Sequence, residues 1–117
     1  MDIDFLYQLD NVPLKPTEEI HLLQIMREAS QNSINHSKGT ILKVHIMQED
    51  DKSISLLVED NGVGLKENPE KLNHYGLAII QERSRNLNGS LSVMSIKEGI
   101  TGTKVKLKFK PAYLADS

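Results

Sequence analysis

The sequence predicts an α+β fold, a two-layer sandwich in which a mixed, mostly antiparallel sheet is covered on one face by two helices. Five short stretches alternate apolar and polar residues with the period of a strand, and two longer ones repeat apolar residues at helical spacing. Their order along the chain is strand, helix, strand pair, loop, helix, strand pair, which is that of a layered α+β domain. At 117 residues the chain is expected to form one domain over positions 1–117.

The first strand places Ile3, Phe5, Tyr7 and Leu9 on one side and Asp2, Asp4, Leu6 and Gln8 on the other. Pro13 and Pro16 end it. Thr17 is the expected N-cap of the first helix, with Glu18 and Glu19 suiting the positive end of its dipole. Leu22, Ile25, Met26, Ala29 and Ser33 share the buried face of this helix, and Gly39 is placed to stop it. Two strands follow around a turn at Asp50-Asp51-Lys52, with Leu42, Val44 and Ile46 facing inward on one and Ile54, Leu56 and Val58 on the other. A polar loop runs from Asn61 to Tyr75, and loops of such length in compact domains are often functional. The second helix is expected from Gly76 to Leu87, burying Leu77, Ile80, Ser84 and Leu87, with Gly89 as its stop. Strands over Ser90–Ile96 and Thr103–Lys110 close the domain. In the last, Thr103, Val105, Leu107 and Phe109 alternate with four lysines, a pattern of a solvated sheet face rather than an anion stripe.

Composition narrows the function classes. A hydrophobic content of 38% and a charged content of 26% are those of a globular domain. A net charge of -2 and 4% aromatic residues with no Trp leave neither a basic footprint nor a stacking platform, so nucleic acid is not an expected partner. The absence of Cys removes disulfides, thiolate catalysis and thiolate metal sites, and it suits a reducing compartment. No apolar run approaches the ~20 residues of a membrane span, so direct membrane contact is not expected and any anchor of a parent protein lies outside this chain.

Three stations carry candidate chemistry. On the first helix, Asn32 lies ~40° and Asn35 ~20° around the axis from Glu28, so the three form one polar stripe. By itself this is either the solvated back of an amphipathic helix or a hard-oxygen lining suited to Mg²⁺, which takes few protein ligands. The second station is Val58-Glu59-Asp60-Asn61-Gly62-Val63-Gly64, leaving a strand for the long loop. It is either an ordinary Asn-Gly turn or a site where backbone approaches a flat ligand while Asp60 accepts a hydrogen bond from it. It lacks both the third glycine of a dinucleotide fingerprint and the Gly-Lys-Ser/Thr of a Walker loop. The third is Asn73-His74-Tyr75-Gly76-Leu77, where a glycine opens a helix whose free N–H groups can receive phosphate oxygens. Gly102-Thr103 then opens the last strand.

Together these resemble the ATP-binding domain shared by histidine kinases, type II topoisomerases, Hsp90 chaperones and mismatch-repair ATPases, the Bergerat or GHKL fold. The segment from Arg27 to Ser37 looks like its N box, the Asp60 and Gly76 segments like its two glycine boxes, and Gly102-Thr103 like its terminal motif. The likeness covers nearly the whole chain. Arg27-Glu28-Ala29, His36-Ser37, His74-Tyr75-Gly76-Leu77 and Glu82-Arg83-Ser84 resemble the sensor kinases that signal to LuxR-type response regulators, with the nitrate/nitrite sensor kinases the nearest likeness. That subfamily usually has Lys where this chain has Asn35, so a charge expected to meet phosphate is missing.

The resemblance implies a two-component sensor kinase's catalytic domain, using ATP and Mg²⁺ and passing the γ-phosphate to a histidine on a separate dimerisation domain. Asp60 would accept from the adenine amino group with support from Thr103, and Gly62, Val63 and Gly64 would pass the base. Asn32 would bind the metal and Glu28 a metal-bound water. Asn35, His36, Tyr75, Gly76 and Leu77 would border the nucleotide. Of His21, His36, His45 and His74, none has the family's acceptor motif after it, and each is expected in a structural or solvated role. The resemblance implies a cytoplasmic domain, monomeric when isolated, of a parent anchored in the inner membrane. Two alternatives stay open: an anti-sigma-factor-type serine kinase of the same fold, which would phosphorylate a protein Ser, and a nucleotide-binding regulatory module without transfer activity.

Overall fold

A computed structural model describes residues 2–9, 11–36, 38–62, 75–96 and 102–114. Most of the expected loop from Asn61 to Tyr75 lies outside the described residues. The elements are β1 (Asp2–Gln8), α1 (Pro16–His36), β2 (Ile41–Gln48), β3 (Ile54–Asp60), α2 (Tyr75–Asn86), β4 (Ser90–Ile96) and β5 (Gly102–Phe109), followed by a 3-10 turn at Ala112–Leu114. The five strands form one sheet in the order β1-β2-β3-β5-β4. β1 runs parallel to β2, and every other pairing is antiparallel. The expected mixed sheet under two helices is therefore present.

Alternation decides which face is buried. Leu42, Val44 and Ile46 of β2, Leu56 and Val58 of β3, and Val105, Leu107 and Phe109 of β5 are buried with Leu22, Ile25 and Ala29 of α1 and Ile80 of α2. Val93 of β4 is half-buried against this cluster. β1 forms where a strand is expected, at the edge of the sheet. Its apolar row, Ile3, Phe5 and Tyr7, lies in register with Leu42, Val44 and Ile46 but is 57%, 56% and 43% exposed. As the edge strand, β1 extends the apolar face beyond the helices, and only Leu9, after the strand, enters the core.

The start of α1 and the stop of α2 rest on residues other than those expected. The Lys15 N–H donates to Glu18 Oε1 at 2.9 Å, and the Glu19 N–H donates to the Lys15 carbonyl at 3.0 Å. Lys15 is thus the N-cap, Pro16 occupies the first helical position that suits proline, and Thr17 lies inside the helix. The other oxygen of Glu18 accepts from the Ala112 N–H at 2.9 Å, which ties the C-terminal turn to the start of α1. At the end of α2 the Gly89 N–H reaches the Ser84 carbonyl at 2.9 Å and the Asn88 N–H reaches Arg85 at 3.0 Å. This is a Schellman cap, and its left-handed residue is Asn88 (φ 52°) rather than Gly89. Gly89 serves packing instead, since a Cβ there would stand 2.8 Å from Leu107 Cδ1.

The β2–β3 hairpin turns on Lys52 (φ 71°), and the Asp51 carboxylate accepts from the Ser53 N–H at 3.0 Å and pairs with Lys108 at 3.2 Å. The Ser53 N–H and hydroxyl, with Lys108 beside them, hold the Asp51 carboxyl below its ordinary value. A depressed carboxyl adds stability above its unfolded pKa and loses it as pH falls through the folded one. Thermal unfolding of Asp51→Asn should therefore show a deficit at neutral pH that closes in acid. In the core, Ile25→Ala removes a fully buried side chain between α1 and the sheet, and chemical denaturation should report a loss of about 3 kcal/mol.

Candidate functional site

The central strand β3 ends in a buried carboxylate. Asp60 is 2% exposed and lies opposite Leu42 on one side and Thr103 on the other. A carboxylate so placed must be hydrogen-bonded to be tolerated. Its Oδ1 accepts the Gly62 N–H at 2.9 Å, in a local Asx-type turn, and the Thr103 N–H at 3.2 Å. Its Oδ2 accepts the Ser33 hydroxyl from α1 at 2.6 Å. Two segments distant in sequence and its own turn thus converge on one side chain.

Beside Asp60 a small cavity opens between the helices and the sheet, lined by Ala29, Asn32 and Ser33 of α1, Leu77 and Ile80 of α2, and Val93, Thr103 and Val105 below. Apolar walls with a few convergent polar groups are the usual character of a small-molecule site. Thr103 supports Asp60 through its main-chain N–H, and its own side chain is buried.

The structure joins the three stations unevenly. Asn32 reaches the cavity; Glu28, one turn earlier, is partly buried, and Asn35 is exposed. Leu77 lines the cavity from the first turn of α2, which opens at Tyr75 and Gly76 as expected to within one residue. The backbone of His36, Tyr75 and Gly76 is helical, whereas Val63 and Gly64 lie outside the described residues. Among the described residues no group of three or more His, Asp or Glu converges. A carboxylate and an amide one helical turn apart nonetheless fit Mg²⁺, which keeps most of its waters. Of the four histidines, His45 pairs with Asp4 at 3.2 Å and His21 accepts from Arg83 at 3.1 Å, while His74 lies outside the described residues.

Three residues have roles that the sequence reading missed. Asn61 faces away from the cavity: its Oδ1 accepts the N–H groups of Thr40 and Ile41 at 2.8 and 2.9 Å, and its Nδ2 donates to Thr40 Oγ1 at 3.0 Å. It clamps the end of β3 to the start of β2. Gly39, expected to stop α1, instead makes room for that clamp, because a Cβ there would stand 2.6 Å from Asn61 Oδ1. The left-handed residue after α1 is Lys38 (φ 59°). Ser33 was expected only as packing. A hydroxyl in a row with Leu22, Ile25 and Ala29 is the signal that marks it, since a buried donor requires a partner.

Residues 17–113 match the family model described as histidine kinase-, DNA gyrase B-, and HSP90-like ATPase. The chain is 41% identical over 100 residues to the sensor protein NarQ homolog of Haemophilus influenzae, which covers 86% of this chain and 17% of that protein. It is 39% identical over 105 residues to the nitrate/nitrite sensor protein NarX of Escherichia coli, covering 90% of this chain and 17% of that one. The chain therefore spans about a sixth of the length of these relatives. In fold it is similar to the histidine kinase domain of the Erythrobacter litoralis EL346 blue-light activated kinase, with a TM-score of 0.76 at 21% identity over 94% of this chain and 55% of that chain. The mycobacterial sensor histidine kinase MprB gives 0.68 at 20% identity over 94% of this chain and 84% of that one.

The convergence on Asp60 requires close main-chain approach. A Cβ on Gly102 would overlap the Asp60 carbonyl oxygen. Neither partner is a flexible side-chain end, so the strands must part. Gly102→Ala should cost about 3 kcal/mol in denaturant unfolding, at the upper end for added core volume, with amide exchange accelerated at the β3–β5 junction.

Proposed function

This chain belongs to the histidine kinase-, DNA gyrase B- and HSP90-like ATPase family, and we propose that it is the catalytic domain of a two-component sensor histidine kinase, spanning residues 1–117. The observation that carries this reading is the Asp60 carboxylate, buried and held at both oxygens beside a small cavity with mostly apolar walls. A fixed acceptor at the end of an apolar slot selects a flat ring with an exocyclic amino group, as in adenine. Gly62 lets the main chain pass that ring. The first turn of α2, at Tyr75, Gly76 and Leu77, presents N–H groups to phosphate oxygens.

Asn32 and Glu28 supply the oxygens that would hold Mg²⁺, Asn32 directly and Glu28 through a water. The ion contributes charge neutralisation at the phosphates when bound. Asn35 and His36 border the same end of α1, and Asn35 offers phosphate a hydrogen bond without charge. Val63 and Gly64 would pass the base with Gly62, while the α1 residues would position the γ-phosphoryl group, and positioning is most of what phosphoryl transfer requires of a protein. The acceptor histidine belongs to a dimerisation domain elsewhere in the parent, and a LuxR-type response regulator would receive the phosphate next. The relatives that match are sensor proteins, which favours a histidine acceptor over a serine one. The domain would sit on the cytoplasmic side of a membrane-anchored parent and be monomeric alone. Among the described residues no helix is long and apolar enough to cross a membrane.

Calorimetry should show Mg²⁺-dependent ATP binding with GTP much weaker, and Asp60→Asn should lose about 2 kcal/mol, roughly thirtyfold, by placing a donor where an acceptor is needed. Equal affinity for ATP and GTP would remove Asp60 from this role. The isolated chain should bind ATP without labelling itself, and a separately supplied dimerisation domain should acquire acid-labile phosphate slowly, since the tethered effective concentration is lost. Asn32→Ala should abolish that transfer while its thermal unfolding stays within a degree or two of the parent's.

A further inference from the structure

Ser33 occupies a place that neither packing nor metal binding explains. It stands on α1 immediately after Asn32, is 5% exposed, lines the small cavity and donates to Asp60 Oδ2 at 2.6 Å. The N–H groups of Gly62 and Thr103, which hold Oδ1, are main-chain donors that any residue but proline would supply. The Ser33 donor is a side chain and is specific to this sequence. The two sets hold opposite oxygens of the carboxylate, and Ser33 is the side-chain donor on Oδ2.

A hydroxyl has one proton and two acceptor lone pairs. With the proton committed to Asp60, what Ser33 presents to the cavity is acceptor capacity. The hydroxyl at the cavity wall and the carboxylate it holds behind that wall are therefore both acceptors. Such a pair welcomes an amino group on a ring and opposes a carbonyl in the same place, because two acceptors facing each other leave both unpaired.

We propose that Ser33 is a positioning and specificity-determining residue for base recognition: it aims the Asp60 carboxylate and extends its acceptor surface, so that discrimination for a 6-amino purine is shared between α1 and β3. This rests on the reading of the cavity as the base site.

The test is calorimetric, on the full chain, with ADP and with the 5′-diphosphate of purine riboside, which differs only by lacking the 6-amino group. The unmodified chain should prefer ADP. Ser33→Ala should weaken ADP about five- to tenfold and leave the purine analogue within twofold, so the preference collapses. Alanine is smaller and a better helix former, so the variant is expected to fold, and far-UV circular dichroism verifies this. Ser33→Cys, near in size but a far weaker donor, should move in the same direction and provides a second folded comparison. In an Asp60→Asn background the Ser33→Ala change should add less than twofold. An equal loss for both ligands would mean that Ser33 only supports the fold, and an undiminished preference would mean that it does not aim the carboxylate. Either result overturns the proposal while leaving Asp60 in place. Equal binding of the two ligands by the unmodified chain would instead overturn the base-site reading itself.

Discussion

Everything at the functional end of this domain hangs on one buried carboxylate. Asp60 terminates the central strand, and its charge is tolerated there because a hydroxyl from α1 and main-chain N–H groups from β5 and from its own turn converge on it. The arrangement works in both directions. The donors make the buried charge affordable, and the charge holds helix, central strand and β5 in one relation. Gly102 is the geometric condition for this, since only a residue without Cβ lets β5 come so near the Asp60 main chain. Asn61 fastens the other side of the same strand end to β2. Consecutive residues thus divide the labour, with Asp60 turned to α1 and β5 and Asn61 to β2.

The fold was legible because its signals are periodic and mutually consistent. Alternation in β2, β3 and β5 marks a face, the Leu22, Ile25, Ala29 row marks the helix stripe that covers it, and the two agree. Periodicity says nothing, however, about neighbours. Ile3, Phe5 and Tyr7 alternate as well as any strand, but an edge position leaves them uncovered, and only the topology reveals that. Helix ends were misplaced by one or two residues for a different reason. Thr17 and Gly89 are the residue types statistics favour, while Lys15 and Asn88 serve because a cap depends on backbone conformation and on partners such as Glu18 and Ser84.

The site was legible as motifs but not as a hydrogen-bond network. Asp60, Asn32 and Thr103 stood out by residue type and order, and the structure brings Asn32 and Thr103 to one cavity, with Asp60 bonded to the Thr103 N–H behind it. Ser33 and Gly39 did not, because each was given a simpler role that its position also satisfied. A serine on a buried helix face and a glycine after a helix are both ordinary until the opposing strand end is known. Both turn out to be shaped by the same two residues, Asp60 and Asn61.

The sequence distances behind the Asp60 network carry a consequence for how the domain assembles. The β2–β3 hairpin closes locally, but the partners of Asp60 come from position 33, before that hairpin, and position 103, far beyond it. Contacts of such separation are made only after long loops have closed, so this corner is complete only when the chain as a whole has folded. A small molecule lodged against Asp60 is then bound by the native state alone. Its binding free energy is added to the global stability by mass action rather than to the stiffness of one loop. The occupancy of this one cavity and the survival of the whole domain, in heat or in the presence of a protease, become the same thermodynamic quantity.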